Sequence, residues 1–263
     1  MNKRWLNVGL AASLLPACAM AQSVFDGTWK IDLGKLELPK KPYVFVLKDG
    51  VYDCQSCVPT YKVKADGTEQ PVSDNPYADT VAVEVVDDHT IHETDKKDGR
   101  IISKSTFTVA KDGKTASYDF DYASDPNTAP VTGKAIDTRV EAGPAGSHAI
   151  SGSWRTTRYE NISDNGLIVT FRTQGDSLAM TTPAGQSFTA KTDGTEAPYK
   201  GDPGITTVSI KTQGKNVLEE TDKRDGKPIA VTAMTVAPDG KSMKIVYRDL
   251  LRDTSTAYTA IKQ

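Results

Sequence analysis

The sequence predicts an all-β protein made of two tandem antiparallel up-and-down β-barrels of eight to nine strands each, and three observations carry that prediction. The first is internal repetition. His92-Glu93-Thr94-Asp95-Lys96-Lys97-Asp98-Gly99 returns as Glu219-Glu220-Thr221-Asp222-Lys223-Arg224-Asp225-Gly226, a shift of 127 positions. The same shift carries Lys64-Ala65-Asp66-Gly67-Thr68-Glu69 onto Lys191-Thr192-Asp193-Gly194-Thr195-Glu196, and Thr108-Val109-Ala110 onto Thr235-Val236-Ala237. Matches at one shift mark a tandem duplication, so each half serves as a control on the other. The second is period-two alternation, as in Thr80-Val81-Ala82-Val83-Glu84-Val85 and Met243-Lys244-Ile245-Val246-Tyr247, which reads as half-buried strand. The third is the punctuation. Asp-Gly or Asn-Gly pairs at Asp49, Asp66, Asp98, Asp112, Asn165, Asp193, Asp225 and Asp239 tolerate the positive φ that hairpin turns require.

Taken in order, the first-repeat strands fall near 27–33, 43–47, 51–54, 59–65, 79–86, 89–96, 100–110, 114–122 and 133–141, with no convincing amphipathic helix. A sheet of that many neighbouring antiparallel strands removes its sticky edges by closing on itself. Barrels are therefore expected over 22–141 and 149–263, joined by a linker at 142–148 that is rich in small residues. Each half is large enough to bury its own core and is expected to fold largely by itself.

The N-terminus has the layout of a secretory signal peptide over residues 1–21: basic Lys3-Arg4, an apolar run from Trp5 to Ala17, then Ala19-Met20-Ala21. Leu15-Pro16-Ala17-Cys18 also resembles a bacterial lipobox, which leaves lipidation of Cys18 open beside simple cleavage after Ala21. The chain is expected to be exported, to a bacterial periplasm or beyond, with no transmembrane span, because the apolar run is shorter than the roughly 18 residues a bilayer needs. Removing 1–21 leaves 30 basic against 34 acidic residues, with no basic cluster, which argues against a nucleic-acid partner. Oligomeric state is not legible.

Each repeat opens with a glycine two places before a tryptophan, Gly27-Thr28-Trp29 and Gly152-Ser153-Trp154, and closes on a strand with a cation, Arg139 and Lys262. In this the chain resembles the calycins, the lipocalin-like and avidin-like barrels, in which a G-x-W on the first strand meets an Arg or Lys from the last. The resemblance implies lipocalin-like barrels in which Trp29, Arg139, Trp154 and Lys262 are structural, each cation lying over an indole face for about 0.5–2 kcal/mol. The chain is also similar to exported bacterial proteins with a GTWK-type opening that have no assigned activity.

Motifs with a chemical signature are few. Cys54-Gln55-Ser56-Cys57 is expected to form a local disulfide bracing a hairpin loop in an oxidising compartment, since the corresponding Thr181 and Ala184 mean that the fold does not require it. A redox role would need a helix N-terminus, haem attachment a histidine where Val58 stands, and zinc two further ligands. His89 and His92, three apart on a strand, point to opposite faces and are expected in solvent, so no metal is expected. Asp95/Asp98 and Asp222/Asp225 invite a paired-carboxylate mechanism, but they sit in a repeated T-D-K-[KR]-D-G segment that reads as a solvated turn. With no G-x-S-x-G, Walker loop or H-E-x-x-H, no catalytic residue and no cofactor are expected.

The interior is the better place for function. Period two puts Ser103, Ser105, Phe107 and Val109 on one face, matched by Ala230, Thr232, Met234 and Val236. Facing inward, these would line a modest pocket mixing small polar with larger apolar groups, with Tyr61, Phe120, Phe188 and Tyr247 as aromatic candidates. The leading expectation is an exported protein binding a small apolar or amphipathic molecule in one or both lumens through Phe107, Ser105, Ser103, Tyr61, Met234, Thr232 and Phe188. The alternative is a non-catalytic envelope structural or interaction module whose barrels are packed solid, as small barrels can be.

Overall fold

A computed structural model describes residues 23–123 and 127–263. The signal peptide assigned to 1–21 and the lipidation site at Cys18 lie outside the described residues. In chain order the strands are β1 (Gly27–Glu37), β2 (Tyr43–Lys48), β3 (Val51–Cys54), β4 (Tyr61–Lys64), β5 (Gln70–Pro71), β6 (Thr80–Asp87), β7 (Thr90–Lys97), β8 (Arg100–Val109), β9 (Thr115–Tyr122) and β10 (Val131–Ala142) in the first repeat. The second repeat contributes β11 (Gly152–Glu160), β12 (Ile168–Gln174), β13 (Ser177–Thr181), β14 (Ser187–Lys191), β15 (Asp193–Pro198), β16 (Thr207–Thr212), β17 (Val217–Arg224), β18 (Lys227–Val236), β19 (Ser242–Asp249) and β20 (Thr254–Lys262). All ladders are antiparallel, and the strands form two nearly closed ten-stranded barrels. Eight to nine strands per barrel was an undercount. In the first repeat the missing strand is β5, whose two residues, one of them Pro71, are too few to show any periodicity.

The strands do not stay with their own repeat. One sheet runs β4-β3-β2-β11-β10-β9-β8-β7-β6-β5 and the other β14-β13-β12-β1-β20-β19-β18-β17-β16-β15. Residues 43–160 therefore form one continuous barrel, closed by the first strand of the second repeat. It is inserted into a split barrel made of β1 and residues 168–262. The chain crosses between barrels at 38–42 and 161–167, whereas 142–148, expected to be the linker, connects adjacent β10 and β11 inside the continuous barrel. The exchange of first strands between the repeats has a physical reason. The two G-x-W strands are near copies, so either fits the seam of either barrel. Leu38-Pro39-Lys40-Lys41-Pro42, with φ fixed at two positions, favours an extended crossing over a tight turn back.

The edges of each sheet meet. Ser187 and Lys200 exchange backbone hydrogen bonds of 2.9 and 3.0 Å in the split barrel, and the Gly67 N–H donates to the Val83 carbonyl at 2.8 Å in the continuous one. Each barrel has its own apolar core. Phe45, Leu47, Val81, Val83, Val109, Ile150 and Trp154 fill the continuous barrel, and Phe25, Trp29, Val208, Ile210, Leu218, Val236 and Met243 fill the split one.

The tryptophans plug one end of each barrel, with their cations exchanged between repeats. Trp29 lies directly across from Lys262, whose Nζ is 5.1 Å from the ring centroid, and Trp154 lies across from Arg139 at 4.0 Å. Both indoles are fully buried and donate Nε1–H to a carbonyl four residues earlier, Phe25 and Ile150, at 2.7 Å. Gly27 and Gly152 have φ of 125° and 128°, and a Cβ at 152 would strike the Glu141 carbonyl, so the motif needs glycine there.

Candidate functional site

Opposite the tryptophan plugs each barrel holds a cavity. That of the continuous barrel is about 600 Å³ and is walled by β2, β3, β7, β8, β9, β10 and β11; Ser103, Ser105 and Phe107 line it, as do Tyr43, Tyr118 and Tyr159. That of the split barrel is about 360 Å³ and includes Ala230, Thr232 and Met234 from β18. The alternating burial along β8 and β18 places these residues on the inner face that period two assigns them.

Two candidates lie off the cavity walls. Phe188 is packed in the split barrel's core, with its ring 5.9 Å from that of Tyr199. Tyr61 stands behind Tyr52, ring centroids 6.2 Å apart, and its hydroxyl donates to Glu93 Oε1 at 2.9 Å. Phe107 is less free than a ligand contact should be. It makes edge contacts with Phe45 at 5.1 Å and with Trp154 at 5.4 Å, so it is a core residue as well as a wall.

The reading of the T-D-K segment as a solvated turn is overturned for Asp95 and Asp222. β7 continues to Lys97 and β17 to Arg224, so the turns are only Asp98-Gly99 and Asp225-Gly226, where the aspartates adopt φ of 50° and 51°. On β17 the inward face reads Leu218, Glu220, Asp222, all buried. On β7 the same register gives Ile91, Glu93, Asp95, with Ile91 buried and the carboxylates partly so. The signal was in the chain, since an inward Ile91 obliges Glu93 and Asp95 to follow it. The Asp-Gly pair masked it.

Burial shifts the acidity of these groups toward the neutral form. Desolvation raises Glu93, against the lowering effect of hydrogen bonds from Tyr61 and Tyr52. Asp95 is raised to about 8 by burial and by the neighbouring Glu93 charge. In the split barrel, burial and Asp222 push Glu220 well up, while Asp222 is raised to about 6 by burial, opposed by a hydrogen bond from Glu220. The two carboxyls therefore titrate together rather than independently. Each lumen holds a third raised acid. Asp137 is raised by burial against the hydroxyls of Tyr43 and Thr156, and Asp202 by burial against Gly204 and Tyr77. Among the described residues, Asp137 has neither oxygen in hydrogen-bond geometry, and Asp95 and Asp222 each leave Oδ1 unpaired.

Each lumen also borrows a residue from the other barrel. Arg252, in the turn between β19 and β20, lines the continuous barrel's cavity, and Tyr77 of the continuous barrel lines the split one. Tyr77 sits against Gly204 and under Arg224, whose Nε donates to the Gly204 carbonyl at 2.7 Å.

Cys54 and Cys57 form the expected disulfide, Cα atoms 5.5 Å apart, at the cavity rim. His92 is exposed, 3.9 Å from Glu84, and His89 is half-buried in the β6–β7 turn rather than on a strand. Among the described residues no group of three or more His, Cys, Asp or Glu is arranged to hold a metal, and no helix is long and apolar enough to cross a membrane. Comparison with protein-family models, with curated proteins and with solved structures finds no match to this chain, so its site rests on its own geometry.

Proposed function

We propose that this chain is an exported small-molecule-binding protein that holds an apolar or amphipathic ligand in one or both barrel lumens. The observation that carries this reading is the cavity of about 600 Å³ in the continuous barrel, where Phe107 and several tyrosines give an apolar wall and Ser103 and Ser105 give orienting hydroxyls. That volume falls within the roughly 300–1,000 Å³ of small-molecule sites, and a large apolar concavity with a few converging polar groups is the usual design of one. The second cavity, of about 360 Å³, repeats the arrangement with a different lining, Thr232 and Met234, so the two lumens differ in preference. Solid-packed barrels, the alternative, would leave neither space. The Cys54–Cys57 disulfide and the signal-peptide layout of residues 1–21 support an oxidising compartment outside the cytoplasm. The G-x-W strands opposed by cations support a lipocalin-like assignment, in which a barrel closed at one end opens at the other.

The test is to fill the lumen without disturbing its core. Ser103 is half-buried on the cavity wall, so Ser103→Trp places an indole in the space while Phe107, Phe45 and Trp154 keep their packing. The neutral fluorescent probe N-phenyl-1-naphthylamine should brighten with the parent chain and bind Ser103→Trp about tenfold more weakly, with an unchanged near-ultraviolet circular dichroism spectrum. Equal binding would remove the lumen as the site.

A further inference from the structure

We propose that the lumens select organic cations: a protonated amine or quaternary ammonium on an apolar or aromatic body, its head group held among the buried carboxylates and tyrosine rings. This rests on the lumen-binding reading above and adds the ligand's charge. The first support is the repeated doublet, Glu93-Thr94-Asp95 and Glu220-Thr221-Asp222, which period two aims inward in both barrels. The second is that acceptors in the lumens are incompletely met: the Tyr43 and Thr156 hydroxyls stand beside Asp137 but outside hydrogen-bond geometry. Asp137 is 0% exposed with neither oxygen in hydrogen-bond geometry, and Asp222 is 6% exposed with Oδ1 unpaired, both among residues lining the cavities. A buried acceptor without a donor is destabilising until one arrives.

The alternatives fit less well. No Lys, Arg or His stands among the residues lining the split barrel's cavity, and the continuous barrel's lining has one, Arg252 from the other barrel, whose guanidinium is bound to Asp249 at 2.9 Å. An anion would meet buried carboxylates in both lumens, offset by no cation in the lining of the split one. A metal ion would need converging ligands, and among the described residues no such group exists. Tyrosine and phenylalanine faces beside carboxylates are, by contrast, the chemistry that recognises ammonium groups.

Proton balance follows. Entry of a fixed cation favours ionised Asp222, so below about pH 6 a proton leaves the Glu220–Asp222 pair for solvent, whereas above it Asp222 is already ionised. The groups facing Asp222 are Glu220 on its own strand, Tyr199 and Asp202 from the segment after β15, Tyr247 on β19, Tyr258 on β20 and Tyr77 from the other barrel, with Arg224 bound behind Tyr77. Burial raises all four tyrosines and keeps them neutral, so the affinity of the split lumen for a cation should fall as pH drops through Asp222's value of about 6.

The experiment is calorimetric titration of the chain with benzyltrimethylammonium and with neopentylbenzene, its neutral carbon isostere. The quaternary head cannot titrate, so any pH dependence belongs to the protein. The expected result at pH 8 is at least tenfold tighter binding of the cation. Glu93→Gln with Asp137→Asn, and Glu220→Gln with Asp222→Asn, should each abolish that preference in one lumen while neopentylbenzene still binds. Retained binding of the neutral compound reports an intact lumen, so a misfolded variant is recognised. Equal or weaker binding of the cation by the parent chain overturns the charge selection and leaves lumen binding standing. Failure of both compounds to bind overturns both.

Discussion

Asp222 is 6% exposed and carries its raised acidity constant of about 6 because burial outweighs the hydrogen bond from Glu220. The consequence for stability has a definite sign. Below its ordinary value of 3.8 the carboxyl is protonated in folded and unfolded chains alike and contributes nothing. As pH rises the unfolded chain ionises first while the folded one keeps its proton to about 6, so unfolding releases protons and stability falls through that window. Asp95, held to about 8, extends the decline in the continuous barrel. The thermal midpoint should therefore drop from about pH 4 to about pH 7, and Asp222→Asn should flatten the part of that drop below about pH 6; a parallel profile in the variant would mean that Asp222 is not the group responsible. The two plugs make a second contrast. Arg139 lies 4.0 Å over Trp154 and donates to the carbonyls of Gly113, Ser151 and Ala149, whereas Lys262 sits 5.1 Å from Trp29. Arg139→Met, which leaves those three buried or part-buried acceptors unmet, should lower the denaturation midpoint more than Lys262→Met, and Trp154→Ala should cost about 3–5 kcal/mol. Equal effects of the two cation replacements, read by urea titration, would demote the carbonyl contacts.

At the scale of elements, the exchange of β1 and β11 makes residues 43–160 a complete barrel with its own tryptophan, cation, disulfide and core. That segment should express alone as a monomer with a cooperative thermal transition. A chain without near-ultraviolet signal would show that the continuous barrel depends on the split one. Most strands were legible because alternation such as Val81, Val83 or Ile245, Tyr247 specifies both the strand and its face, and because Asp-Gly pairs mark the hairpins between them. The exchange was not legible, since Trp29 and Trp154 sit in near-identical local sequences and period two says nothing about which copy of a neighbour a strand joins. The same limit explains the site. Ser103, Ser105, Thr232 and Met234 were visible from the alternation on β8 and β18. Glu93, Glu220, Asp137 and Asp202 were not singled out, because charged side chains usually face water, although period two carries Glu93 and Glu220 inward with Ile91 and Leu218.

Over the whole molecule, the duplication yields two lumens of one plan and different character, about 600 Å³ and about 360 Å³, each edged by a residue of the other barrel. Tyr77 and Arg252 tie the cavities to the interface between the barrels, where Lys41 Nζ also donates to the Arg252 carbonyl at 2.7 Å. Binding in the lumens is read most directly by native mass spectrometry of residues 22–263 titrated with N-phenyl-1-naphthylamine. Lumen binding gives one or two adducts per chain and no more, with the one in the continuous barrel weakened about tenfold in Ser103→Trp. A bare protein at every probe concentration, or an adduct series indifferent to Ser103→Trp, would contradict it.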